Sequence, residues 1–247
     1  MFLKITSSLI ALLLLGNILK AQQIFITQGK IEYERKTNQY SFMDESDIFD
    51  EERKKNFSKF VTYYFDLTFK NGNTFFQQGR DPETKQNKFW SVFPSENTVR
   101  TNLDSGTTIV QRNIFNDVYT VSDSLRKIEW RITPEIRKIA GFDCRKAVGK
   151  IMDSIVVIAF YSDEIIPSGG PETFTGLPGM ILGLAVPRLH TTWYATKLQT
   201  IEVTDKDLTL PKKGKKMTGD DYRKQVGDIL KNWDNPQAAK VKWEFYM

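Results

Sequence analysis

In the stretch RKIEWRIT, Ile128, Trp130 and Ile132 alternate with Lys127, Glu129 and Arg131. An apolar side chain at every second residue places one face in a core and the other in water, and only an extended strand has that period. The same alternation starts the chain proper, where Ile31 and Tyr33 stand between charged neighbours in GKIEYERK. In VTYYFDLTFKNGNTFFQQG, Asn71-Gly72 separates two β-prone runs and predicts a hairpin. KFWSVF, TTIVQRNIF and TTWYATKLQTIEV add further strands. The connections are short, which favours antiparallel neighbours. The chain therefore belongs to the α+β class and is mainly β.

Other segments refine this. In IRKIAGFDCRKAVGKI, Gly141 suits a β-bulge. Asp153-Ser154 turns the chain into IVVIAFY, apolar at every position and so expected to be a central strand. KVKWEFYM reads as a last strand with Val241, Trp243 and Phe245 on one side. Two segments have helical character. In MDESDIFDEERKKNFSKF acidic residues precede basic ones, matching the helix dipole, and Ile48, Phe49 and Phe57 share a face. In TGDDYRKQVGDILKNWDNP, Thr218 and Asp221 have the spacing of a capping box, and Tyr222, Val226, Ile229, Leu230 and Trp233 follow at helical spacing before Asn235-Pro236. No internal repeat, low-complexity tract or domain boundary interrupts the run, so residues 22–247 read as a single domain.

Residues 1–21 have the layout of a secretory signal peptide: Lys4, the apolar centre IALLLL, and Ala21 at a cleavage point. The competing reading, an uncleaved anchor, asks for about 20 apolar residues. The expected location is the periplasm, outer-membrane associated or secreted. No Cys follows the cleavage point to carry a diacyl anchor, and no later segment is apolar enough to span a bilayer, so an integral membrane protein is not expected. The formal net charge of +5 is ordinary. The cluster KKGKK, Lys212 to Lys216, reads as a solvated loop, and nucleic acid is not an expected partner.

The chemistry is defined mostly by what is missing. His190 is the only histidine and stands in an expected hairpin loop, PRLHTT, without a Cys or carboxylate cluster at ligand spacing. Metal and cofactor sites of the usual kinds are thus not expected. There is no G-x-S-x-G, no P-loop lysine and no G-x-G-x-x-G. Cys144, the single cysteine, can form no internal disulfide and is read as a small buried apolar residue rather than a nucleophile. Asp163-Glu164, Glu172 and Asp220-Asp221 are candidate carboxylates, but spacing does not show them facing one another across a cleft. No catalytic residue is assigned.

Two features could carry function. Aromatic residues crowd the expected strands. They read either as core or as the wall of an apolar cavity, with Trp90, Trp130 and Trp193 as groove candidates. The second feature is GGPETFTGLPGMILGL. Pro178 fixes φ, Gly179 can take a positive φ, and Leu-Pro-Gly suits a type II turn, while Gly176 permits close approach and Pro171 stiffens the entry. Gly170, Pro171, Gly176, Leu177, Pro178, Gly179, Met180 and Ile181 form a candidate structural or partner-contact motif. One reading is a turn that sets the register of the central sheet. The other is the rim of a groove or a docking face.

IFNDVYTVSDSLRKIEWRI, KIAGFDCRKAVG and GGPETFTGLPGMILGL occur in series. Together they resemble the GLPGLI family of exported proteins from Bacteroidetes-type bacteria, with Met180 in place of the family's Leu. The resemblance is good over about residues 110–200. It implies no established activity and no catalytic residues. The order of strands is also similar to exported carriers of the lipoprotein-carrier type, which implies a strongly curved antiparallel sheet or open β-barrel with one or two helices as a lid. The expected function is an exported, non-enzymatic envelope protein binding an apolar, lipid-like small molecule or a hydrophobic segment of a partner. The alternative is an adaptor or assembly factor for an outer-membrane transporter, and a hydrolase of unrecognised type comes third.

Overall fold

Strand β1 (Gln28–Asn38) lies in the middle of a single twelve-stranded sheet, and its alternating burial puts Ile31 and Tyr33 wholly inside. The computed structural model describes residues 25–43, 48–88, 97–114, 117–211, 213–231 and 245. Residues 1–21, where a signal peptide is expected, Trp90 with most of KFWSVF, Trp233, Val241 and Trp243 lie outside the described residues.

On one side of β1 the chain meanders through β2 (Phe60–Lys70), β3 (Asn73–Gln78), β4 (Thr98–Asn102), β5 (Thr107–Ile114) and β6 (Asp117–Ser124). On the other side it returns as β7 (Arg131–Ile139), β8 (Phe142–Ile151), β9 (Ile155–Ser162), β10 (Met180–Val186) and β11 (Thr191–Gln199), and β11 pairs with β1. Finally β12 (Lys215–Thr218) joins β6, the only parallel pair among the described strands. The order is β12-β6-β5-β4-β3-β2-β1-β11-β10-β9-β8-β7.

This order requires strong curvature. Strands β6 and β7 stand ten places apart, so in a flat sheet they would be about 48 Å apart at the usual strand spacing. Residues 125–130 join them, and that connection spans at most about 25 Å when fully extended. The sheet therefore curls until its two ends face each other across a gap bridged by this strap. The open, curved, mainly antiparallel sheet matches the expected class.

The Asn71-Gly72 hairpin is present, with Lys70 opposite Asn73 and Asn71 at φ 51°. Both predicted helices form, α1 (Ile48–Asn56) and α2 (Gly219–Lys231). At the start of α2 the Asp221 N–H donates to Thr218 Oγ1 at 3.2 Å and the Thr218 hydroxyl donates to Asp221 Oδ2 at 2.7 Å. Tyr222 and Val226 bury its inner face against Phe42, Tyr119 and Val121 in a second, smaller core.

Several expectations change. The RKIEWRIT alternation is not one strand: Ile128 and Trp130 lie in the strap, while Ile132 is 47% exposed on β7. Their spacing is set by packing across the strap, not by a ladder. Gly141 is not a bulge but half of a tight turn, with Ala140 at φ 49°, Gly141 at φ 91° and Ile139 opposite Phe142. The β7–β8 irregularity lies instead between Ile132 and Ile136. Strand β9 is internal, but Val156 is 40% exposed, so it is not apolar-buried on both faces. The strand buried on both faces is β10, from Met180 through Leu184, where a bulge between Ile181 and Gly183 shifts the register. Lys215 and Lys216 are not loop residues but form the exposed edge strand β12. Phe245 is buried and lies in no strand.

The main core fills the concave side. Phe65 and Phe76 stack at 4.8 Å, Trp193 is buried beneath Arg35, and the Tyr33 hydroxyl donates to the Ile181 carbonyl at 2.6 Å in a fully buried place.

Candidate functional site

The GLPGMI stretch ends a long connection between β9 and β10, residues 163–179, and most of that connection is buried. Phe174 and Leu177 belong to the main core. The Gly169 Cα approaches Thr74 on β3, the Trp130 indole N–H donates to the Thr175 carbonyl at 2.9 Å, and the Asn97 amide donates to the buried Glu172 at 3.2 Å. The segment thus touches β3, the start of β4 and the strap, as well as β10. It is a plug inside the curled sheet.

The turn itself differs from the type II expectation. The Gly179 N–H donates to the Leu177 carbonyl at 2.8 Å, a three-residue turn centred on Pro178. The Met180 N–H, which a type II turn would direct at Leu177, donates instead to the Ile165 carbonyl at 3.1 Å. Gly176 at φ 93° and Gly179 at φ 140° occupy backbone that favours glycine. A Cβ on Gly179 would lie 2.1 Å from the Ser162 carbonyl oxygen, and one on Gly170 would lie 2.8 Å from the Ile181 Cβ. Pro171, Leu177, Met180 and Ile181 are buried, and only Gly176 and Pro178 of the motif face solvent. The motif holds the plug to β9 and β10, and most of it is unavailable as a rim or docking face.

Of the groove aromatics, Trp90 lies outside the described residues and the other two line no common groove. Trp193 is 1% exposed in the core, and Trp130 packs over Gly149 and the plug. Cys144 is fully buried, and burial pushes its thiol up to about 12, with Asp143 and Glu164 adding to the effect. His190 is an exposed loop residue at φ 49°. Exposed Asp163 pairs with Arg145 at 3.5 Å and Asp220 with Arg223 at 2.8 Å, while Glu172 is buried inside the plug. These carboxylates share no cleft. Among the described residues no group of three His, Cys, Asp or Glu side chains could hold a metal ion.

What the plug leaves open lies at the gap in the sheet. A cavity of about 360 Å³ lies between β5, β6, the strap and α2. Its apolar wall is Val110, Val121, Tyr222 and Phe245, and its polar wall is Arg112, Arg126 and Arg223 with Asp123. A second chamber of about 670 Å³ adjoins it under the strap and shares Arg126, Lys127 and Met152 with the first. Val148, Ile151 and Val156 give it an apolar floor, and Arg131 and Lys150 are further cations. Arg112 is buried because β5 turns Thr108, Val110 and Arg112 to one face, and its guanidinium donates to the Phe245 carbonyl at 2.9 Å. Arg223 donates to Asp123 at 2.7 Å. Burial first, and then nearby Arg112 and Arg223, bring the Arg126 guanidinium down to about 10, with Asp123 acting in the opposite direction.

Sequence reasoning missed these arginines, which come from a strand, the strap and a helix. One signal was present: Arg112 follows Val110 at the strand period, on the side that must be buried.

Two crystal forms of PNGF-II resemble this fold. The C2 form aligns with a TM-score of 0.53 at 17% identity over 80% of this chain and 32% of that one. The P21 form gives 0.54 at 15% over 81% and 33%. The chain spans about a third of the length of the PNGF-II structures it matches, and at such identity the likeness is one of fold. No curated protein sequence matches the chain. Residues 149–183, from the last residues of β8 through the GLPGMI motif into β10, match the family described as "Protein of unknown function (Porph_ging)".

Proposed function

We propose that this chain is a non-enzymatic binding protein of the cell envelope that takes an apolar small molecule into the two-chambered cleft beneath the strap. The observation that carries this reading is the cleft itself. The plug fills the interior of the curled sheet, yet two adjoining depressions that share Arg126, Lys127 and Met152 stay open beside the strap, each with apolar residues in its wall. The smaller chamber falls within the usual size range of small-molecule sites. The N-terminal stretch, with its short apolar centre and Ala21, supports export to the periplasm. The GLPGMI motif and the two stretches before it support a place among GLPGLI-type proteins. The test is organic extraction of protein purified under native conditions, followed by mass spectrometry. A stoichiometric apolar compound is expected, and its loss on substituting Val121 by Asp would locate it. Protein that carries no such compound and shows no thermal shift with any apolar probe would refute the reading.

A second reading, an adaptor that accepts a partner's segment, is favoured by β7. It is the terminal strand of the sheet, and Ile132 and Ile136 are 47% and 64% exposed. Crosslinking from position 136 in cells would capture a discrete envelope partner if this reading holds.

A further inference from the structure

One apolar side chain borders both halves of the cleft, and the backbone beneath it suits another residue. Met152 lines the smaller chamber together with Val110 and Val121, and the larger one together with Val148, Ile151 and Val156. It opens the three-residue loop Met152–Ser154 of the β8–β9 hairpin, closed by the pair Ile151 and Ile155. Its φ is 49° and that of Asp153 is 59°. Left-handed backbone at a hairpin tip favours Gly, Asn or Asp, because other side chains crowd their own backbone there. Asp153 suits its place and Met152 does not. The Met152 side chain is 37% exposed, so packing does little to offset the strained backbone. Strain of this kind concentrates where a residue serves function. The cleft supplies such a function, since an unbranched thioether with three rotatable bonds adapts to apolar guests of different outline.

The position has a chemical consequence. Met43 and Met180 are 4% and 0% exposed, and Met217 is partly buried beside α2, so Met152 is the exposed thioether among the described residues. Thioethers open to water are oxidised to sulfoxides. The sulfur lone pair attacks one oxygen of hydrogen peroxide and the O–O bond breaks. The transferred oxygen gives up its proton, and the departing hydroxide leaves as water. Sulfur is oxidised, peroxide is reduced, and a flexible apolar side chain becomes a polar one. We infer that Met152 is a guest-contact residue shared by both halves of the cleft and a redox-sensitive modification site, at which oxidation by a peroxide weakens the hold on an apolar guest. This inference rests on the binding-protein reading above. Reduction of the sulfoxide restores the apolar wall.

The test joins peptide mapping to fluorescence titration with N-phenylnaphthylamine, an apolar probe. Native protein treated with hydrogen peroxide should gain one oxygen at Met152 well before Met43, Met180 or Met217 does. Its affinity for the probe should then fall about five- to thirty-fold, the cost of turning a polar group without a hydrogen-bond partner toward an apolar guest. Methionine sulfoxide reductases of both stereospecificities should restore the affinity. Met152→Leu should bind as the untreated parent does and lose nothing in peroxide. Met152→Gln should bind as weakly as the oxidised parent without any peroxide. Met152→Asn suits φ 49°, so it should melt no lower than the parent while binding the probe less tightly, a combination that a purely structural role would not produce. If Met152 is oxidised no faster than the buried methionines, or if the parent and Met152→Leu respond to peroxide alike, the inference is overturned while the binding-protein reading stands. If the untreated parent binds no probe, both fall.

Discussion

Replacing Gly179 with alanine tests the account of the plug most directly. The added Cβ would stand 2.1 Å from the Ser162 carbonyl oxygen and 2.7 Å from its carbon. These are backbone atoms at the end of β9, so no side chain can swing aside. The φ of 140° adds strain for any residue with a Cβ. Strain of this type costs about 1–3 kcal/mol. Forcing the strand and plug apart adds about 1–3 kcal/mol, as for overpacking in a core. A mid-range sum of roughly 4 kcal/mol lowers the melting temperature of a chain this size by about 8–16 °C. Gly176→Ala is the control. Its φ is also positive, at 93°, but its Cβ would meet nothing closer than the Trp130 indole nitrogen at 3.6 Å, an ordinary contact. It therefore pays strain alone. Thermal and urea unfolding of the two variants beside the parent decide the matter. If Gly179→Ala destabilises no more than Gly176→Ala, the close apposition of plug and β9 is wrong.

Three further outcomes are expected. Tyr33→Phe removes the buried donor to the Ile181 carbonyl and should lower stability by roughly 1–3 kcal/mol, read from urea midpoints at unchanged slope. Cys144, buried with its thiol pushed up to about 12, should resist thiol reagents at pH 8 in the native state and react at once in denaturant, as followed by intact mass. Burial would raise the Glu32 carboxyl, but hydrogen bonds from Thr196 and Arg80 outweigh it and hold the group below its ordinary value. Its contribution is therefore complete above the unfolded carboxylate range and lost as pH falls through the lowered folded value. In Arg80→Ala, NMR titration should show Glu32 moving upward and a shallower loss of stability on the acid side.

The sequence and the fold agree where the signal is local. The Asn71-Gly72 turn, the Thr218–Asp221 cap and the alternation of Ile31 and Tyr33 each depend on neighbours in the chain, and each appears. Disagreement begins where distant partners decide. Trp130 belongs to a strap because its indole finds Thr175, forty-five residues away, and Gly149 makes room for its ring. Gly141 becomes a turn because Ile139 and Phe142 pair across it. The edge strand at Lys215 needs β6, and no local pattern announces a parallel partner. The GLPGMI motif was legible as a special backbone but not as the end of a buried plug, since that depends on contacts with β3, the strap and β4. The cleft was least legible, because the β5–β6 hairpin brings Arg112 and Arg126 near each other but Arg223 reaches them only when α2 packs against β6, where it meets Asp123 a hundred residues away.

The place of β1 has a consequence for how the molecule reaches this state. Its first neighbour, β2, follows closely in sequence, but its other neighbour is β11, and the Thr37–Thr191 contact closes a separation of 154 residues. Such high contact order predicts slow folding. A chain synthesised from its N-terminus presents one side of β1 as an unpaired edge until nearly all the other strands have been made, a period in which a neighbouring chain can add there instead. Yield on refolding should accordingly fall steeply with protein concentration, and a circular permutant that joins β11 directly to β1 should relieve this.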